Sequence, residues 1–200
     1  MNTTTKIALV FAFFACFGLA QGPAKADATE AQAFVQKNQD EVSKLLRKPA
    51  SQSRDAEISK TLDQLLDYDE LSKRALEKNW DSVEKKKRDE FVRLLHALVE
   101  KQHKKNLKST LNFDVKYLSA DGSDDVAMVK TEARSRKNKR TPPVQIDYSL
   151  HRTVDGWRVY DIATDGVSLV ENYNRQFRRI IRKDGFDGLL ERMNKKLNEN

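Results

Sequence analysis

The 200-residue chain has one cysteine, Cys16, inside an apolar N-terminal run. Once that run is removed no disulfide can form, even in an oxidising compartment, and a packed core must hold the chain together. The three histidines, His96, His103 and His151, are not at metal-ligand spacing, and no HExxH pattern accompanies them, so no metal site is expected. A GxSxG elbow, a P-loop and a GxGxxG turn are also missing, which removes the best-signposted acyl-transfer and nucleotide sites. No cofactor is expected. Internal repeats are absent, and the one biased stretch is the basic loop Arg134 to Arg140. That loop has no interleaved aromatics to stack on bases, so a nucleic-acid partner is not expected.

What the chain does have is charge and regularly spaced aliphatics. Charged residues make up 34% and hydrophobic ones 38%, with a mean hydropathy of −0.73. This is polar for a globular protein, yet the apolar positions recur too regularly for disorder. One domain is expected. The net charge of +7 favours acidic partners.

Residues 1–26 read as a cleaved secretory signal peptide. Lys6 closes a short basic segment, Ile7 to Leu19 is apolar, and Ala24-Lys25-Ala26 supplies a small-x-small cleavage site. The apolar run falls short of the ~20 residues that span a bilayer. Phe13 stands where lipoprotein signals usually carry Leu, which weighs against lipidation of Cys16. Residues 27–200 are then the exported domain.

From Thr29 to Lys48, Phe34, Val35, Val42, Leu45 and Leu46 recur at helical spacing before Pro49. Ile58, Leu62, Leu65 and Leu66 form a second stripe. Asp67, with Glu70 three residues on, caps a third helix. The segment Glu84 to Lys105 reads as the longest helix, with Phe91, Leu94, Leu95, Leu98 and Val99 on one side. The period then changes to two. Phe113, Val115 and Tyr117 alternate with polar residues, "DGSDD" turns the chain, and "VAMVKTEA" returns. A third strand carries Val144, Ile146, Tyr148 and Leu150, and after "VDGW" a fourth carries Trp157, Val159, Tyr160 and Ile162. Ser168 and Glu171 form a capping box for a helix with Leu169, Val170, Tyr173, Phe177, Ile180 and Ile181 as its stripe. Arg178, Arg179, Arg182 and Lys183 suit its C-terminal end, and Gly185 can stop it before a last short helix.

The best catalytic candidates are Asp147, Tyr148, Tyr160 and Asp161 on neighbouring strands. A shielded Asp could act as base and a Tyr as oxyanion donor, as in cone-shaped isomerase-like folds. Strand alternation works against this, because adjacent residues point to opposite faces. On the residues alone, the apolar positions of the last strand and helix read as ordinary core.

Two stretches carry a resemblance: "LLDYDELSKRALEKNWDSVEKKKRDEFVRLL", Leu65 to Leu95, and "VQIDYSLHRTVDGWRVYDIATDGVSLVENYNRQFRRIIRKDGFDGLLERM", Val144 to Met193. With GW-x-VYD, DGVSLV-x-NY and RK-x-GFDGL in order, the chain resembles the MlaC, or toluene-tolerance, family of periplasmic phospholipid carriers. The resemblance implies an α+β fold, a four-stranded antiparallel sheet wrapped by several helices around an apolar lipid cavity. It implies a soluble shuttle of a lipid-asymmetry system, between an outer-membrane lipoprotein–porin complex and an inner-membrane ABC transporter complex with an MCE subunit. The protein would be a monomer and no enzyme, with phospholipid as cargo. Hopanoid-associated relatives share the pattern, so another lipid is the alternative, as is the isomerase-like enzyme. Under the resemblance Tyr160, Ile162, Val167, Val170 and Phe177 become one cavity wall, facing Leu95 and Leu98 and Ile146, Tyr148 and Leu150. Arg178, Arg179, Arg182 and Lys183 become a docking surface for an acidic partner.

Overall fold

The computed structural model describes residues 23–199, with side chains over 27–102 and 109–199. Of the expected leader, residues 1–22 lie outside the described ones, as does the side chain of His103.

Helix α1 (Pro23–Leu46) buries Ala31, Val35, Val42, Leu45 and Leu46 along one stripe. In α2 (Gln52–Leu65) Ser51 is the N-cap, its hydroxyl accepting from the Arg54 N–H at 3.1 Å. Helix α3 (Tyr68–Leu76) starts at Asp67, whose carboxylate accepts from the Glu70 N–H at 2.8 Å, as the spacing predicts. A short α4 (Asn79–Ser82) leads into α5 (Lys85–Thr110), which at 26 residues is the longest unbroken helix among the described residues. Its stripe Phe91, Leu94, Leu95 and Val99 is buried.

The sheet comprises β1 (Phe113–Gly122), β2 (Val126–Ser135), β3 (Val144–Thr153), β4 (Gly156–Thr164) and β5 (Val167–Ser168), paired antiparallel in chain order. It therefore has five strands, not the four expected. Asp165 (φ 47°) and Gly166 (φ 78°) both take left-handed conformations, the geometry of a two-residue hairpin turn. The turn folds Val167 and Ser168 back onto Thr164 and Ala163. The residues that enter the helix thus also extend the sheet. Farther along β4, Leu66 bridges Val159, and the Asp67 N–H donates to the Val159 carbonyl at 2.8 Å, so the end of α2 covers that edge.

Strand β4 contains a bulge. Leu150 pairs with Val159 and Ser149 with Asp161, leaving Tyr160 unpartnered between them. The extra residue reverses the alternation. Trp157 and Val159 face the helices before it, and Ile162, opposite Tyr148, faces them after it. A second bulge falls at Leu118 of β1.

Helix α6 (Leu169–Asn198) is capped by the Ser168 hydroxyl, which accepts from the Glu171 N–H at 3.0 Å. Gly185, at φ 71° and ψ 179°, breaks it into two segments, where the sequence places a stop and a new helix. The core lies between the inward sheet face and the helices, joining Val35, Leu71, Phe91, Leu95, Val129, Leu150, Val159, Phe177 and Leu189 in one continuous cluster.

Candidate functional site: an apolar face and a charged cleft

Alternation along β3 aims Ile146, Tyr148 and Leu150 at the helices, and the β4 bulge brings Ile162 beside them. From α5 come Leu95 and Leu98, and from α6 Val170 and Phe177. These eight belong to one apolar cluster. Leu95, Leu150, Tyr148 and Phe177 are buried in it, while Leu98, Ile146, Ile162 and Val170 are half-buried at its margin. Phe177 meets Phe91 edge-on, with ring centres 5.2 Å apart, and stacks on Tyr173 at 5.3 Å. Such pairs add about 0.5–1.5 kcal/mol to the area they bury.

Two of the ten expected wall residues do not join the cluster. Val167 pairs with Thr164, itself opposite Ile146, so it shares the inward side of the sheet, but at its edge, where it is 58% exposed. Tyr160, the bulged residue, places its ring beneath the Arg74 guanidinium at 3.9 Å and edge-on to His151 at 5.7 Å.

The apolar face carries one polar bridge that sequence reasoning missed. Gln39 of α1 donates from Nε2 to the Tyr148 hydroxyl and accepts at Oε1 from the Tyr117 hydroxyl. Burial pushes the Tyr148 phenol up to about 12, partly offset by the Gln39 hydrogen bond, and burial also raises that of Tyr117. Both stay neutral at physiological pH, Tyr117 donating to Gln39 and Tyr148 accepting from it. No local pattern marks a glutamine on one helix as the partner of two tyrosines on two strands.

A cleft of about 450 Å³ opens beside this face. Helix α3 supplies Glu70, Lys73, Arg74 and Glu77 at helical spacing; Tyr160 and Asp161 come from β4, and Ser168, Val170 and Glu171 from the start of α6. Asp161 is fully engaged, its Oδ2 accepting from the Ser168 hydroxyl at 2.6 Å and its Oδ1 from the Val170 N–H at 3.0 Å. Arg74 is held by Glu70 at 2.7 Å. The one sequence signal for this geometry is the adjacent pair Val159-Tyr160, two large apolar residues that a regular strand would send to opposite faces.

The isomerase-like constellation is not assembled. Asp147 pairs with Ala163 and Asp161 with Ser149, on the outward face, whereas Tyr148 points inward. His96 pairs with Asp63 and His151 with Asp67, each at 2.8 Å. Among the described residues no group of three metal-ligating side chains forms. Arg178, Arg179, Arg182 and Lys183 are exposed on α6, and among the described residues none has an ion-pair partner. Their neighbours Arg175 and Arg192 are engaged by Glu171 at 3.7 Å and Asp184 at 2.6 Å.

The sequence pattern of the MlaC protein family matches residues 36–195. Among solved structures, the phospholipid-binding protein from Ralstonia solanacearum, in complex with a phospholipid, has a similar fold, with a TM-score of 0.73 at 22% sequence identity. The likeness covers 84% of this chain and 96% of that one. The curated proteins hold no match to the sequence.

Proposed function

This chain belongs to the MlaC family, and we propose that it is a periplasmic phospholipid carrier, binding acyl tails between the inward sheet face and helices α5 and α6. The observation that carries the proposal is the family match over residues 36–195. The convergence of eight apolar side chains on one cluster, four of them half-buried at its margin, agrees with it. Tails entering past Leu98, Ile146, Ile162 and Val170 would meet Leu95, Leu150 and Phe177, with Tyr148 held to one side by Gln39.

The energetics favour this role. Exposing two chains of roughly 30 methylenes to water costs about 24 kcal/mol at ~0.8 kcal/mol each. Transfer from bilayer to an apolar protein interior exchanges one hydrocarbon environment for another and has little net cost. Carriage needs no nucleophile, metal or cofactor, and the protein acts as a binder and not as an enzyme. Direction would come from its partners, proposed as the inner-membrane ABC transporter complex with its MCE subunit and the outer-membrane lipoprotein–porin complex. The four unpaired cations of α6 are the proposed contact for their acidic faces.

The test is native mass spectrometry of the full chain expressed with export and recovered by osmotic shock. The expected result is a mature protein beginning at Asp27 with a stoichiometric phospholipid. A hopanoid would keep the carrier and correct the cargo. Protein without lipid, in a shape that delipidation leaves unchanged, would overturn the reading.

A further inference from the structure

We propose that the cleft between α3, β4 and α6 seats a zwitterionic aminophosphate headgroup, with Lys73 facing the phosphate and Glu77 the ammonium. This rests on the carrier reading and adds to it a headgroup preference.

The cleft contains six charged side chains, and four are committed. Glu70 and Arg74 hold each other, Asp161 caps the start of α6, and Glu171 pairs with Arg175. Lys73 and Glu77 remain, one charge of each sign. They are four residues apart, a spacing at which opposite charges on a helix usually meet. Here they form no ion pair. Glu77 is the C-cap of α3 at φ 51° and ψ −126°, which turns it out of the helix. Its carboxylate instead takes a long 3.4 Å hydrogen bond from the Asn174 side chain of α6.

That conformation is unfavourable for any residue with a side chain and easy for glycine. A glutamate there carries a carboxylate into the cleft at the expense of local backbone comfort. Val170 supplies the connection to the lipid, because it lines the cleft and also packs on the apolar cluster. A lipid whose tails lie against that cluster and leave past Val170 would bring its headgroup to Lys73 and Glu77. One uncommitted cation and one uncommitted anion suit phosphoethanolamine better than a headgroup with negative charge alone.

The experiment loads the full mature chain from vesicles of equal phosphatidylethanolamine and phosphatidylglycerol, re-isolates it and measures the ratio of extracted lipids. Wild type should enrich phosphatidylethanolamine about two- to fivefold, the scale of one partly solvated ion pair. Glu77→Gln should bring the ratio close to one. Glu77→Gly should do the same while raising Tm, since the backbone strain goes with the carboxylate. Soluble phosphoethanolamine is titrated in parallel by NMR. Shifts at Lys73 and Glu77 without lipid enrichment would assign the cleft to a free aminophosphate and overturn the headgroup assignment. Lipid held by wild type at a ratio of one, with no such shifts, would remove the cleft inference alone. Failure of wild type to take any lipid would remove the carrier reading with it.

Discussion

The Asp67 carboxylate and the His151 imidazole, 84 positions apart, meet at 2.8 Å. The other oxygen of the same carboxylate caps α3 through the Glu70 N–H. One side chain thus fixes the start of a helix and ties it to β3. Asp67→Ala should lower stability by about 1–2 kcal/mol for the cap, and by more if His151 is left without its partner. Asp67→Asn should recover most of the cap. Urea denaturation of both variants decides it; equal midpoints for Asp67→Ala and wild type would contradict the assignment.

Gln39 joins the hydroxyls of the buried Tyr148 and the half-buried Tyr117. Gln39→Leu should cost about 1–3 kcal/mol for each hydroxyl left buried and unpaired. Adding Tyr148→Phe should return part of that loss, because it removes one of the orphans. A double variant no more stable than Gln39→Leu would show that the bridge does not couple them.

The same tyrosines set an alkaline limit. Tyr148 is raised from 10.0 to about 12 by burial, and burial also raises Tyr68, Tyr117 and Tyr173. The unfolded chain loses these protons first, so between pH 10 and 12 it binds fewer than the native state. Their stabilising contribution is complete below pH 10 and declines as pH rises through 12. Tm measured across this window should fall, and Tyr148→Phe should fall less steeply.

Val167 lies at the open edge of the inward sheet side. Val167→Glu should leave circular dichroism unchanged and stability within about 0.5 kcal/mol. Lipid retention should drop roughly tenfold, because a carboxylate must be dehydrated or kept from the acyl chains. Undiminished loading would remove Val167 from the lipid path.

Reversing Arg178 and Arg182 to Glu tests the α6 patch. Being exposed and unpaired, they should leave folding intact while association with an acidic partner weakens. Wild-type association should fall as salt rises. Binding indifferent to both changes would mark the patch as merely solvated.

Local chemistry was legible in the sequence. Asp67 and Ser168 act as caps because a short acceptor side chain reaches an N–H three residues on. Ile146, Tyr148 and Leu150 share a face because strands alternate. The bulge at Tyr160 and the Gln39 bridge were not legible in the sequence, because they depend on register and on partners from elements distant in the chain. The turn that makes β5 had a local signal, the Asp165-Gly166 pair, but the two residues it adds to the sheet are too few to show an alternation. The cleft follows from the bulge, so Lys73 and Glu77 also escaped notice. Eight of the ten residues expected to line a cavity fall in one apolar cluster; Tyr160 and Val167, at the bulge and at the edge, do not, because strand alternation stops being a guide there.

Gly185 breaks α6 at φ 71° and ψ 179°, and a methyl group built on it would meet nothing within 4 Å. Room is therefore not what requires glycine there; handedness is. Of the two mirror-image alanines, the D form would adopt this conformation without strain, and the ribosome incorporates only the L form. The bend between the two halves of α6 thus depends on the one encoded residue that has no chirality.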